Sequence, residues 1–332
     1  APGGRRRSCA IDSTTMSSAE SRETLAGLGE FAVIGRITAR RTQPAEVVVG
    51  PGDDAALLTA ADGRVVVSTD MLVEGRHFRL DWSTPHDVGR KAIAQNAADI
   101  EAMGGRAYAF VVGFGAPVDT EAADAQRLSD GMWSEATKFG AGIVGGDLVA
   151  APQWVVSVTV LGDLGGRPPV LLSGAQPGDT VAVIGDLGWS GAGYTLWRKG
   201  IHEFDELRRR HLVPHVAYGQ GAAAAVAGAT ALTDVSDGLV ADLGHIASAS
   251  GVAVDLSMAA LEVDVATLTP AAAMVGGDAR DWVLGGGEDH VLVGTFGGAL
   301  PAGWRAIGTV GPGEARVTVD GASWHGAAGW ES

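Results

Sequence analysis

Short apolar runs in this chain close again and again on glycines, hydroxyls and carboxylates. Val47-Val48-Val49 leads into Gly50-Pro51-Gly52-Asp53-Asp54, Val65-Val66-Val67 into Ser68-Thr69-Asp70, and Ile143-Val144 into Gly145-Gly146-Asp147. Leu232-Thr233-Asp234 continues into Val235-Ser236-Asp237-Gly238, and Gly285-Gly286-Gly287-Glu288-Asp289 precedes Val291-Leu292-Val293. Runs rich in β-branched residues read as buried strands. Taken singly, each is a strand leaving the core through a polar turn, and Asp53-Asp54 between glycines is a solvated turn. Taken together they constrain the fold strongly. Converged without a counter-charge, Asp54, Asp70, Asp99, Asp147, Asp234 and Asp237 would repel one another and raise their own pKa values. Several divalent ions remove that conflict. Mg²⁺ takes oxygen ligands and commonly bridges protein carboxylates to phosphate, and Ser68, Thr69 and Asp70 offer three oxygens at one expected strand end.

The elements between these turns alternate, which predicts an α/β (α+β) chain of two domains, and 332 residues leave room for both. The spacing of Leu25, Leu28, Phe31, Ile34 and Ile37 predicts one amphipathic helix over residues 20–41. Ser83-Thr84-Pro85 starts a helix over 86–103, with a capping hydroxyl and Pro in the first turn. That helix sets Ile93, Ala97 and Ile100 on one side and Lys91, Gln95 and Asp99 on another, a stripe that in isolation reads as a solvated face. A strand over 107–114, a helix over 120–139 and a strand over 154–161 follow. The Pro- and Gly-rich stretch 162–179 marks the boundary. Beyond it come a strand at 180–184, a helix at 190–198, an Ala-rich helix after Tyr218, and a helix after Asp237 that Ser236 or Asp237 can cap. Strands at 304–310 and 315–319 lead to Trp324 and Trp330. The expected division is a disordered leader at 1–20, an N-terminal domain at 21–165 and a C-terminal domain at 175–332.

Charge and composition exclude some partners. A net charge of −15 argues against nucleic acid, which is bound by clustered Lys and Arg, yet leaves a nucleotide whose charge a divalent metal carries. No apolar run is read as long enough to span a bilayer, so no membrane partner is expected. One cysteine, Cys9, rules out an intramolecular disulfide and fits a reducing, cytoplasmic setting. The chain holds no Gly-x-x-x-x-Gly-Lys-Ser/Thr loop, no dinucleotide glycine motif after a strand, no His-Glu-x-x-His and no nucleophile elbow. An acidic, glycine-lined site loaded with Mg²⁺ suits the β- and γ-phosphates of ATP, where positioning and charge neutralisation supply most of the catalysis.

In their order, Gly52-Asp53-Asp54-Ala55-Ala56-Leu57, the run from Ser68 to Phe78, the run from Lys91 to Gly104, Gly145-Gly146-Asp147, Asp234-Val235-Ser236-Asp237-Gly238-Leu239 and Gly286-Gly287-Glu288-Asp289 resemble the motif set of the thiamine-monophosphate kinases. These belong to the aminoimidazole ribonucleotide synthetase-like ATP-binding superfamily, and the match runs from about residue 30 to the C-terminus. The resemblance implies a two-domain fold whose N-terminal domain forms the sheet or barrel of a homodimer and whose C-terminal α/β domain completes the cleft. It implies transfer of the γ-phosphoryl of ATP to thiamine monophosphate, giving thiamine diphosphate and ADP. By position, Asp54, Ser68, Thr69, Asp70, Asp99, Asp147, Asp234 and Asp237 would hold several magnesium ions, with Asp70, Asp99 and Asp237 central to catalysis. Gly146, Asp147 and Ser236 would contact ATP, and His77, Glu288 and Trp330 the thiamine phosphate. One position departs from the pattern: Leu172 stands where the family usually has an Arg before Ser-Gly-Ala-x-Pro-Gly-Asp. The acceptor is already a phosphate oxyanion, so no strong general base is required. Glu288 suits a thiazolium cation and Trp330 an aromatic stack. Two other readings are a purine-precursor ATP-dependent synthetase of the same superfamily and an Mg-nucleotide-binding member without turnover.

Overall fold

The structure is a computed structural model and describes residues 23–52 and 55–326. The expected leader, Asp54 and Trp330 lie outside the described residues. The first half runs α1 (Leu25–Leu28), α2 (Glu30–Thr38), β1 (Val47–Val49), β2 (Leu57–Leu58), β3 (Val66–Val73), α3 (Pro85–Ala102), β4 (Arg106–Ala116), α4 (Ala122–Ala136), β5 (Gly142–Ala150) and β6 (Val155–Asp163). The second runs β7 (Thr180–Ile184), α5 (Trp189–Arg198), α6 (Asp205–Leu212), α7 (Gln220–Val226), β8 (Ala229–Asp234), α8 (Leu239–Ser250), β9 (Ala253–Leu256), α9 (Met258–Val275), α10 (Ala279–Gly285), β10 (Leu292–Phe296), β11 (Arg305–Gly311), β12 (Arg316–Val319) and β13 (Ala322–Ser323). The single helix expected over 20–41 is two, because Gly29 at φ 78° breaks it.

In the first half, four strands pair in the order β3-β6-β4-β5, all antiparallel except the β4–β5 pair. α3 and α4 cover one face, where Val88, Ile93 and Ile100 meet Phe110, Val112 and Val158. The two helices cross closely because both carry glycine at the contact. A Cβ on Gly89 would stand 2.0 Å from the carbonyl oxygen of Leu128, and one on Gly131 would stand 2.0 Å from that of His86. α3 begins where its sequence predicts, with a reciprocal cap: Thr84 Oγ1 accepts from Asp87 N–H and the Asp87 carboxylate accepts from Thr84 N–H. On the other face the β1–β2 hairpin, through Val47 and Leu58, packs on Ala109 and Leu161, and the rest is open and apolar among the described residues, with Val67 63%, Met71 53%, Val111 39% and Val149 52% exposed.

In the second half, seven strands form one sheet in the order β13-β12-β9-β11-β7-β10-β8, antiparallel save for β12 beside β9. Both of its faces are covered. On one lies the main core, where Val183, Val254, Val293 and Ile307 of the strands meet Leu196, Leu243, Leu261 and Leu284 of α5, α8, α9 and α10. On the other, Ala182, Leu232, Leu292, Phe296 and Trp304 pack with Ala224 of α7 and with Ala102 at the end of α3. α9 corrects one expectation: by length and composition it is apolar enough to cross a membrane. Here it lies on the sheet, with Leu261, Leu268 and Ala271 fully buried in the core.

α3 therefore sits between the two sheets, and its polar stripe is not a solvated face. Lys91, Gln95 and Asn96 are buried, with Lys91 only 2% exposed. Polar side chains taken out of water are retained only when they are paired.

Candidate active site

Strand periodicity decides what each residue of Ser68-Thr69-Asp70 can reach. β3 continues to Val73, so these residues lie in mid-strand rather than at a strand end, and alternate ones face opposite sides. Ser68 and Asp70 face α3. Ser68 Oγ donates to Asp99 Oδ2 at 2.7 Å, Gln95 Nε2 donates to Asp70 Oδ2 at 3.3 Å, and Asn96 Oδ1 accepts from Asp70 N–H at 3.2 Å. Thr69 faces the open side, donating to the Val158 carbonyl at 2.9 Å and lying 3.1 Å from Thr159 Oγ1. The structure thus separates Thr69 from Ser68 and Asp70.

β8 brings Asp234 to the same place from the other half. Burial first, then the charges of Asp234 and Asp70, push the Asp99 carboxyl up to about 7. Asp234 Oδ2 lies 2.9 Å from His290 Nδ1; burial alone would lower that imidazole, but the hydrogen bond and charge of Asp234 raise it. Asp70, Asp99 and Asp234 therefore form one partly neutralised oxygen cluster across the two halves. This excess of carboxylate over cation, made of hard oxygen donors, fits Mg²⁺.

Asp237 stands beside this cluster in a second group. It does not cap α8, and neither does Ser236; the cap position is Gly238 at φ 130° with no side-chain hydrogen bond. Asp242 takes the job from inside the helix, accepting from the N–H groups of Asp237 and Gly238 at 3.0 Å each. That leaves the exposed Asp237 carboxylate free of capping, and ligand atoms of Asp237, Asp242 and His245 lie within 4.8 Å of one another. Burial, with Asp234 next, raises Asp242 to about 7.

A pocket of about 120 Å³ is lined by Lys91 and His211, the two partners of Glu288. Lys91 Nζ donates to the His77 carbonyl at 2.8 Å and to Glu288 Oε1 at 3.2 Å, joining residues 197 apart in sequence. Burial alone would raise Glu288, but Lys91 and then His211 hold its carboxyl below the usual range. His211 Nδ1 lies 3.5 Å from Glu288 Oε2 and 3.1 Å from Ser190 Oγ, and burial pushes this imidazole down to about 4. His77 lines the pocket, with Nδ1 accepting from Val73 N–H at 3.0 Å, and burial lowers its pKa. A neutral imidazole tied through Nδ1 is a contact group rather than a strong base.

Two turns weld the cluster to the pocket. Glu288 N–H donates to the Ser236 carbonyl at 2.7 Å and His290 N–H to the Val235 carbonyl at 2.8 Å. Glu288 and His290 adopt left-handed backbone, φ 62° and 51°, a conformation that costs a non-glycine residue roughly 1–2 kcal/mol. Between them, Asp289 caps α5 by accepting from Gly188 and Ser190 N–H, and its burial raises it to about 7. The turns that carry Asp234 and Glu288 are thus hydrogen-bonded to each other. The sequence shows no sign of His290, His211 or Asp242 in these roles, since their partners are distant in sequence or displace an expected cap.

Gly146 and Asp147 stand elsewhere. In register, Asp70, Val158, Val112 and Gly146 form one row and Met71, Ser157, Gly113 and Asp147 the next, so Asp147 is on the far edge strand in the row of the exposed Met71. Three strand spacings of about 4.8 Å, or roughly 14 Å, separate that edge from β3. Gly146 is required by backbone contact, since a Cβ there would lie 2.1 Å from the Val112 carbonyl oxygen. Within one chain Asp147 does not join Asp70.

Comparison with known proteins places this geometry. The N-terminal domain of AIR synthase related proteins matches residues 52–164, and their C-terminal domain matches 176–277. A thiamine-monophosphate kinase of Mycobacterium tuberculosis is 67% identical over 309 residues, covering 93% of each chain. The crystal structure of a thiamine-monophosphate kinase from Stenotrophomonas maltophilia superposes with a TM-score of 0.77 at 31% identity, covering 90% of this chain and 98% of that one. AaThiL complexed with AMPPCP and TMP superposes at 0.72 with 29% identity, covering 91% and 96%.

Proposed function

We infer the chemistry of this chain from its family: it belongs to the AIR synthase related proteins and, among them, to the thiamine-monophosphate kinases. It is an ATP-dependent phosphotransferase that converts thiamine monophosphate to thiamine diphosphate. The observation that carries the reading at residue level is the pair of turns that fixes Asp234 beside Glu288. One carboxylate belongs to the cross-domain oxygen cluster, and the other is held by Lys91 and His211, which line the pocket with His77.

We propose these roles. Asp70, Asp99 and Asp234, with Ser68 in support, hold magnesium, and Asp237 extends the set toward Asp242 and His245. Magnesium, when bound there, neutralises phosphate oxygens and fixes the γ-phosphoryl in line. Gln95 donates to the Asp70 carboxylate and Asn96 accepts from the Asp70 backbone N–H, which orients the carboxylate before the reaction. Ser236 lies within reach of the nucleotide from the same turn. Glu288 and His77 receive the thiamine ester, whose thiazolium cation complements the carboxylate. Its phosphate oxygen attacks without a base, which agrees with a His77 kept neutral. Asp54 and Trp330 retain their proposed parts in metal and substrate binding on sequence grounds.

The working unit we propose is a homodimer built on the open face of the four-stranded sheet. Val67, Met71, Val111 and Val149 form an apolar surface that a monomer would leave in water. Thr69 and Asp147 share that face, so their contribution to metal or nucleotide is made toward the partner's site. The division near 165–175 follows the passage from one sheet to the other. A cytoplasmic location, without nucleic-acid or membrane partners, accords with the acidic net charge and with an α9 that packs on its own sheet.

Incubating the purified chain with ATP, Mg²⁺ and thiamine monophosphate and resolving the thiamine esters by chromatography tests the reading. Thiamine diphosphate and ADP in equal amounts are expected. Bound ATP with no diphosphate formed would favour the non-catalytic alternative.

A further inference from the structure

Beside the thiamine pocket four side chains form a ladder that crosses from one half of the chain to the other. The Arg79 guanidinium lies 4.5 Å from the centre of the Trp82 ring. Trp82 stacks on Trp197 with centroids 5.7 Å apart and planes 16° from parallel, and the Arg208 guanidinium lies 3.8 Å from the Trp197 ring centre. Arg79 and Trp82 precede α3, whereas Trp197 is on α5 and Arg208 on α6. Each layer suits its neighbour, since a cation prefers the electron-rich face of an indole. The far end is fixed: Trp197 Nε1 donates to the Arg208 carbonyl at 3.1 Å, and the Arg208 side chain is only 12% exposed.

The pocket lies at the edge of this ladder. Its walls come from both halves, with His77 and Trp82 on one side and Tyr194 and His211 on the other. The Trp82 ring meets those of Tyr194 and His211 edge-on, at 6.1 Å and 6.3 Å. Trp197 does not line the pocket. Two contacts join the two halves through lining residues of this pocket: the buried Lys91–Glu288 pair and the Trp82–Trp197 stack. At about 120 Å³ the cavity is near the roughly 150 Å³ that accommodates one benzene ring.

We propose that the Trp82–Trp197 stack is an interdomain clamp that sets the width of this pocket to one flat heteroaromatic ring, with Trp197 acting as a positioning residue through Trp82. The inference rests on the reading that the pocket takes thiamine monophosphate. It assigns to Trp197, which does not touch the pocket, control over which thiamine esters bind.

The test compares wild type with Trp197→Leu, which keeps apolar bulk but loses the stack, and Trp197→Phe, which keeps a ring. Far-ultraviolet circular dichroism reads the exciton signal of the stacked indoles, and calorimetry reads thiamine monophosphate affinity. Trp197→Leu should lose the exciton signal, bind thiamine monophosphate roughly tenfold more weakly, and accept a thiamine phosphate with a bulkier ring substituent relatively better. Its KM for ATP should not change, and Trp197→Phe should restore affinity for the natural ester. Unchanged ester affinity and discrimination in a Trp197→Leu protein that has lost the exciton signal would overturn the clamp. If Trp197→Leu fails to fold, Arg208→Ala, which strips the cation from the Trp197 ring and leaves every lining residue in place, makes the same comparison, and unchanged ester affinity there would overturn the clamp. Wild type that binds thiamine monophosphate but does not phosphorylate it would instead contradict the functional reading, and wild type that does not bind it would contradict both.

Discussion

The two sheets of this protein are finished to different degrees. The seven-stranded sheet is covered on both faces, by the α5, α8, α9 and α10 layer on one and by α7 and the end of α3 on the other. The four-stranded sheet is covered by α3 and α4 on one face and, among the described residues, only in part by the β1–β2 hairpin on the other, which leaves Val67 and Met71 more than half exposed. The alternation along β3 makes the contrast local. Ser68 and Asp70 enter an oxygen cluster, while Thr69 and Met71 belong to a face left largely open among the described residues. The same face of this sheet carries Asp147, in the row of Met71. The covered sheet brings Asp234 at the end of β8 and Glu288 in the turn before β10 to the site, whereas the open one, on the proposed dimer, would serve two sites.

Four changes sharpen or break this contrast. Asp70→Asn on the covered face of β3 should cut turnover by about 100-fold or more while the fold is retained, because on the proposed reading it removes a charge from the metal set. Steady-state kinetics showing wild-type turnover would take Asp70 out of the metal set. Met71→Glu, one residue along on the bare face, should halve the mass in light scattering and remove turnover without changing the circular dichroism; a wild type that is already monomeric would refute this. In the covered sheet, Ile307→Ala should cost about 2–5 kcal/mol in urea unfolding, as buried truncations do. Met71→Ala should cost less, and its effect should depend on protein concentration. The smallest effect concerns pH. Asp99 and Asp242 have folded-state pKa values near 7, above the 3.8 of an ordinary Asp. A carboxyl whose pKa is raised by folding contributes stability that is complete below pH about 4 and is lost as pH rises toward about 7. Melting temperature in the absence of metal should therefore fall across that window, and saturating Mg²⁺ should reverse the fall. A flat profile in both conditions would mean that these carboxylates do not share a low-dielectric site.

The sequence makes some of this legible. Thr84, Pro85 and Asp87 announce the start of α3, and the β-branched runs mark β1, β3 and β7. The clustered carboxylates point to a cation, and the raised Asp99 shows why: their convergence is unfavourable without one. Other features follow from partners far apart in the chain. Lys91 reads as part of a solvated stripe until α3 is placed between two sheets, and Glu288 then meets it from 197 residues away. Asp237 reads as a cap until Asp242, five residues on, supplies the capping oxygen instead. Ser68-Thr69-Asp70 reads as one ligand group at a strand end. The strand continues to Val73, and its two-residue period divides the three between two faces.

The most direct measurement is a mixture of two inactive proteins. Asp70→Asn and Asp147→Asn are each purified, mixed in equal amounts, allowed to exchange subunits and assayed for thiamine diphosphate. If Asp147 serves the partner's site, half of the dimers are mixed and each of these has one intact site out of two, so about one quarter of wild-type activity returns. A mixture that stays as inactive as its components would show that Asp147 and Asp70 do not complement across two copies, and the account of the open sheet would be wrong.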